Sequence, residues 1–118
     1  MKDTRITHGM KLRPAPFDMI RSGKKTVELR LYDEKRRAIA VGDRIVFTNT
    51  DSGETLTRRV AALHRFDSFE ALYKALPLTQ CGYTEENVGA ASPDDMEAYY
   101  TKEEQEKYGV LGIALCAP

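Results

Sequence analysis

A chain of 118 residues with 42% hydrophobic and 31% charged side chains has the balance of a globular domain and enough length to bury a core without disulfide or metal staples. No apolar run approaches the roughly 20 residues needed to cross a bilayer, and the opening MKDTRITHGMKLRP lacks the apolar stretch of a signal peptide. A single cytoplasmic domain spanning residues 1–118, with no membrane partner, is therefore expected. The formal net charge of zero conceals a segregation: residues 1–37 hold eleven Lys and Arg against five Asp and Glu, whereas eight acids and only Lys102 lie between Glu85 and Glu106. A basic third can attract phosphate in a neutral protein because the local field steers a polyanion; pairing of the two segments across the fold would explain the same pattern structurally.

HGMKLRP reads as a short strand with Met10 and Leu12 inward and Lys11 and Arg13 outward. PAPFDMIRSG reads as a helix, with Pro16 in the first turn, Phe17 and Ile20 on one face and Gly23 as the stop. In the next stretch, GKKTVELRLYDEKRR, Val27, Leu29 and Leu31 alternate with Thr26, Glu28, Arg30 and Tyr32. Side chains along a strand repeat every two residues, so one face is core and the other chemistry or solvent.

A charged turn and the VGD punctuation lead into RIVFTN, a second alternating strand, and TDSGET closes a hairpin into LTRRVAALHRF. The adjacent Arg58 and Arg59 break the alternation and suggest a bulge there. DSFEALYKAL has a capping-box pattern, Asp67 with Glu70, and an apolar helical face of Phe69, Leu72, Tyr73 and Leu76. After the loop from Pro77 to Gly82, SPDDMEAYY starts a helix capped by Ser92, and TKEEQEKYG starts another with Thr101 and Glu104 and stops at Gly109. Capping thus accounts for most of the acidic cluster. The closing VLGIALCA is a continuous apolar run suited to a strand buried on both faces. About five strands with short helices between them make an α+β fold around a small mixed sheet or barrel.

The inventory of chemistry is short. His8 and His64 are the only histidines and neither has a further ligand at zinc spacing; Cys81 and Cys116 form no C-x-x-C pair and are expected as free thiols, Cys116 in the core. No phosphate-binding Gly loop or nucleophile elbow is present, so neither metal nor cofactor is expected. What remains is the corner where Gly23, Lys24 and Lys25 meet a strand bearing Glu28 and Arg30. Arginine offers a planar fork, lysine a point charge and glutamate an acceptor for base amino groups, a set able to bind a phosphate or a base edge. A lysine of lowered pKa in a dry cleft could also act as base or nucleophile, with the carboxylate as proton partner. A solvated amphipathic strand is the structural alternative.

GKKTVELR fits the G-x-K-x-x-E-x-R signature of the ASCH family, the activating-signal-cointegrator homology domains, at Gly23, Lys25, Glu28 and Arg30. MKLRPAPFDMIRSG, VGDRIVFTN and the terminal apolar strand resemble the same family, so the similarity spans nearly the whole chain. It implies a PUA-like β-barrel whose cleft, beside the helix before the signature, is lined by Lys25, Glu28 and Arg30. It implies RNA, or a nucleoside or nucleotide, as partner, with Lys11, Arg13, Lys25 and Arg30 on phosphate or base and Glu28 on a base donor. Some small bacterial members hydrolyse 4-acetylcytidine nucleosides with a Lys-Thr-Glu set. The lysine corresponds to Lys25, Glu28 stands where the threonine would be, and Glu86 in YTEEN is the loosely aligned counterpart of the glutamate. Lys25 and Glu28, or an acid of the 85–106 segment, would then be catalytic. Metal-dependent RNA cleavage, known in another branch, has the least support from the ligand inventory. As an exposed strand position, Glu28 should tolerate Glu28→Gln within about 0.5 kcal/mol; as part of a buried pair it would cost about 3–5 kcal/mol.

Overall fold

The computed structural model describes residues 5–118; the first four residues of the expected domain lie outside the described residues. Five strands form one curled half-barrel sheet: β1 (Thr7–Leu12), β2 (Val27–Leu31), β3 (Arg44–Asn49), β4 (Thr55–Phe66) and β5 (Val110–Cys116). Their order is β1-β3-β4-β5-β2. β1 runs parallel to β3, and every other pairing is antiparallel. A parallel pair needs a long crossover, and here that crossover carries α1 (Pro14–Ser22), β2 and α2 (Glu34–Arg37). As a result β1 and β2, the strands flanking the helix-to-strand corner, form the two edges of the sheet.

β4 holds the half-barrel together by serving two partners. Thr55 to Arg59 pair with β3, and Arg59 to Phe66 pair with β5, so Arg59 serves both. The bulge lies at this handover, where the register jumps from Val60 to Ala62, and not at Arg58 and Arg59, which stay in register with Ile45 and Arg44. An extra residue bends the strand as it changes neighbours.

β5 is buried on both faces, as its sequence suggests. Leu111 and Ile113 join a cluster with Met10, Phe17, Ile20, Ile45, Phe47 and Val60. Val110 faces the opposite cluster of Val27, Leu29, Leu31, Phe69 and Leu72. Cys116 departs from expectation and is exposed. It pairs only with Arg59 of β4, because the β2 ladder along β5 ends at Ala114. Cys81 is the buried free thiol.

The helices follow local chemistry with two corrections. α1 carries a proline in its first turn and ends at Gly23, whose φ of 84° lets its N–H reach Ile20 O. The charged turn after β2 is wound into α2, because the Asp33 side chain accepts from the Arg36 N–H. α3 (Phe69–Ala75) is capped by Ser68 rather than Asp67. Starting the helix one residue later leaves Glu70 to pair with Lys74 instead of closing a capping box. Ser92 and Asp95 do form a capping box, on a 3-10 helix at Pro93–Ala98, and Thr101 and Glu104 form another on α4 (Lys102–Tyr108). Gly109 stops α4 at φ 73°, ψ −176°, a region essentially confined to glycine.

His8 has a structural partner. Its Nε2 lies 2.8 Å from the Asp43 carboxylate, which also accepts the Ile6 and Ala40 N–H groups and so ties the start of β1 to the VGD turn. Burial would raise the Asp43 pKa, but these hydrogen bonds outweigh it and hold the group below the usual carboxylate value. No group of three or more His, Cys, Asp or Glu side chains with metal-binding geometry occurs among the described residues, nor does any helix there have the length and apolarity to cross a membrane.

Candidate functional site

Register decides where the charged residues of β2 point. Glu28 lies opposite Ile113 and Arg30 opposite Leu111, and directly paired residues of neighbouring strands share a face. Glu28 and Arg30 therefore face the side of the sheet that carries α1 and the first core cluster, while Val27, Leu29 and Leu31 pack with α3 on the other. Both faces are covered, so the simple division into a core face and a wet face does not hold. Glu28 retains only 3% of its accessible surface, and the expectation of an exposed glutamate is overturned.

Glu28 is buried as the centre of an ion cluster. Its Oε1 is 2.7 Å from Lys25 Nζ, and its Oε2 is 2.9 Å from Arg30 Nη2 and 3.0 Å from Arg30 Nε. The Lys25 and Arg30 side chains are 10% and 14% exposed. Burial would raise the Glu28 pKa, but the charges and hydrogen bonds of the two cations outweigh it and hold the carboxyl below its ordinary range. Lys25 is placed by the turn: its N–H donates to Met19 O at the end of α1, and the next N–H, that of Thr26, donates to Gln80 O. The lysine chain then passes Gly82, where an added Cβ would stand 3.6 Å from Lys25 Cδ and 3.7 Å from Nζ. Arg30 Nη2 also donates to Lys11 O at 3.0 Å and so links the two sheet edges that have no backbone ladder between them.

This cluster forms part of the wall of a cavity of about 540 Å³. Of the residues singled out in the sequence, Lys11, Arg13, Lys25, Glu28 and Arg30 line it together. Gly23 does not; it serves the turn that delivers Lys25. Glu86 is exposed and outside the lining, with Lys24 as the cation that acts on it. Asp95 is the acid of the 85–106 segment that reaches the cavity.

The opposite wall was not foreseen. Four of the six tyrosines, Tyr73, Tyr83, Tyr99 and Tyr100, line the cavity with Met96 and Cys81. Tyr83 OH donates to Asp95 Oδ2 at 2.6 Å and lies 2.8 Å from Tyr73 OH. Burial and the Asp95 hydrogen bond push the Tyr83 pKa far up, so the group remains a phenol. Burial likewise pushes the Cys81 thiol up to about 11 despite nearby Lys25, which makes it a poor nucleophile. Tyr100 stacks on Phe69 at 6.2 Å, and Tyr99 is 63% exposed at the rim. In the sequence, Tyr73 counts only toward the apolar face of α3. The interleaving of tyrosines with acids from Tyr83 to Tyr100 was the signal available for this wall.

Chemically, the cavity combines aromatic surface with hydrogen-bond donors. Among the described residues, no protein acceptor takes the Arg30 Nη1 hydrogens, and Glu28 is the only carboxylate paired with Lys25 Nζ. These donors suit carbonyl or phosphate oxygens.

The family model described as the ASCH domain matches residues 10–118. Among solved structures, the hypothetical protein PH0355 superposes with a TM-score of 0.76 at 30% identity, covering 92% of this chain and 96% of that one. Protein PF0455 from Pyrococcus furiosus gives a TM-score of 0.67 at 32% identity, with 92% and 94% coverage. The ASCH structure from Zymomonas mobilis gives 0.61 at 20% identity, covering 93% of this chain and 66% of that one, a likeness of fold. No curated protein matches the chain.

Proposed function

Because the chain belongs to the ASCH domain family, we propose that it binds RNA or a nucleoside-sized ligand, with a base seated in the tyrosine-lined cavity and read by Lys25 and Arg30. The observation that carries this reading is the pair of cations, organised by one buried carboxylate, on the wall of an aromatic cavity of about 540 Å³. That volume lies within the range of small-ligand sites, which are largely apolar with a few placed polar groups. Both oxygens of Glu28 are already engaged, so its part is to hold the two donors in place, and the ligand presents acceptors to them. Arg13 and Lys11 add positive charge beside the cavity, and Tyr99 offers an exposed ring for stacking a neighbouring base.

Short single-stranded RNAs and free nucleosides titrated at low salt test the proposal. Lys25→Met should weaken binding tenfold or more, and RNA affinity should fall log-linearly with salt, by about 0.7 per phosphate contacted. Absence of binding by every RNA and nucleoside at low salt would remove the reading.

The 2.7 Å contact between Lys25 Nζ and Glu28 favours a second reading, hydrolysis of an acylated nucleoside. Lys25 would polarise the acyl carbonyl, Glu28 would take a proton from the attacking water, and the amine would leave with that proton. A carboxyl held below its ordinary range is a weak base, which places this reading second. Incubation with 4-acetylcytidine should release cytidine and acetate from the unmodified protein and neither from Lys25→Met; no release across a panel of acylated nucleosides counts against it.

A further inference from the structure

On the other side of Arg30 lies a second concavity, of about 450 Å³, lined by Gly9, Met10, Lys11, Arg30, Lys35, Arg36 and Thr48. Four of these seven residues are cations and none is an acid. Two of the cations are already committed, Arg30 to Glu28 and Arg36 to Asp33 at 2.9 Å. Lys11 and Lys35 have no ion-pair partner among the described residues, and both are exposed. Arg36 Nε is buried with no hydrogen-bond partner, although Arg36 Nη1 is held by Asp33. A buried donor left without an acceptor carries a desolvation cost that an incoming oxygen would relieve. The two concavities share Lys11 and Arg30, at the seam where Arg30 bridges to the Lys11 carbonyl.

From this we infer that the basic concavity is a phosphate subsite, and that the ligand of the tyrosine-lined cavity is phosphorylated, its phosphate crossing the seam between β1 and β2 to reach Lys11, Lys35 and Arg36. The inference rests on the nucleotide reading of the first cavity and adds to it: a neutral nucleoside would fill one cavity, whereas a nucleotide or an RNA strand would use both. Lys35 and Arg36 of DEKRR thereby have a use beyond winding α2. Lysine serves as a point charge there, and the Arg36 Nε–H as a directed donor.

The test uses the whole chain and Lys35→Gln, an exposed change outside the Glu28 cluster. Cytidine, cytidine 5′-monophosphate and a hexacytidylate are titrated over a salt series, and inorganic phosphate is titrated while the Arg36 Nε–H resonance is followed by NMR. Expected are five- to tenfold weaker binding of the phosphorylated ligands by Lys35→Gln, a salt slope shallower by about 0.7 for the oligomer, unchanged binding of cytidine, and a saturable phosphate-induced shift at Arg36 Nε–H. A monophosphate that matches the oligomer assigns the phosphate to a free nucleotide, and affinity that grows with chain length assigns it to RNA; both support the subsite. If cytidine, the monophosphate and the oligomer all fail to bind while phosphate still shifts Arg36, the reading of the first cavity falls and the subsite stands. An unmoved Arg36 resonance together with unchanged affinities in Lys35→Gln overturns the subsite.

Discussion

Glu28→Gln is expected to cost about 3–5 kcal/mol of stability and to lower the melting temperature of this 118-residue chain by roughly 10–25 °C. The substitution keeps the shape of the side chain but leaves one oxygen where Lys25 and Arg30 each had one, so one cation meets an NH2 donor and the loss reports charge and a hydrogen bond rather than packing. Its size follows from the enclosure of all three partners: the Lys25 and Arg30 heads would be left beside each other with little access to water, and no other acid among the described residues pairs with them. The same change releases the alignment of both cations toward the cavity, so ligand affinity should fall in parallel with the melt. Thermal melts and titrations on one preparation decide the matter. A melting temperature within a few degrees of the unmodified protein would mean that the cluster is solvated in solution and that its enclosure does not determine stability.

The sequence made the strands legible because period-two alternation and the turn residues agreed. The run from Val110 announced burial on both faces, and Gly23 announced the end of α1. What it could not express was the partner of each face. Alternation in β2 separates Val27, Leu29 and Leu31 from Glu28 and Arg30, but pairing with β5 puts Glu28 opposite Ile113 and so turns the charged face inward. That fact depends on strand order, in which β2 ends beside β5 and away from β1, its neighbour in sequence. The signature residues Lys25, Glu28 and Arg30 are three and two positions apart and could be grouped by spacing alone. Tyr73, Tyr83 and Asp95 come from α3, a loop and a 3-10 helix, and their hydrogen-bonded chain exists only once those segments fold against the sheet. Ser68 and the step from Val60 to Ala62 show the finer limit: shifts of a cap or a bulge by a residue or two depend on where packing places Phe69 and where β4 changes partners.

Acid should erase the difference between the unmodified protein and Glu28→Gln. The Glu28 carboxyl is held below its ordinary value of 4.5 in the folded chain, so the unfolded chain binds the proton more readily. The stability contributed by the ionised group is therefore complete above the unfolded pKa and declines as pH falls through the folded one. Once protonated, Glu28 is neutral like glutamine and leaves Lys25 and Arg30 equally uncompensated. Asp43, whose pKa is also depressed, loses its contribution over an acidic range too, but it is present in both proteins and cancels from the comparison. Denaturant midpoints measured from pH 7 downward should show a constant gap between the two proteins until about pH 4.5, and then convergence. A gap that persists unchanged into strong acid would mean that glutamine disrupts packing, and that the charge of Glu28 is not what binds Lys25 and Arg30 into one unit.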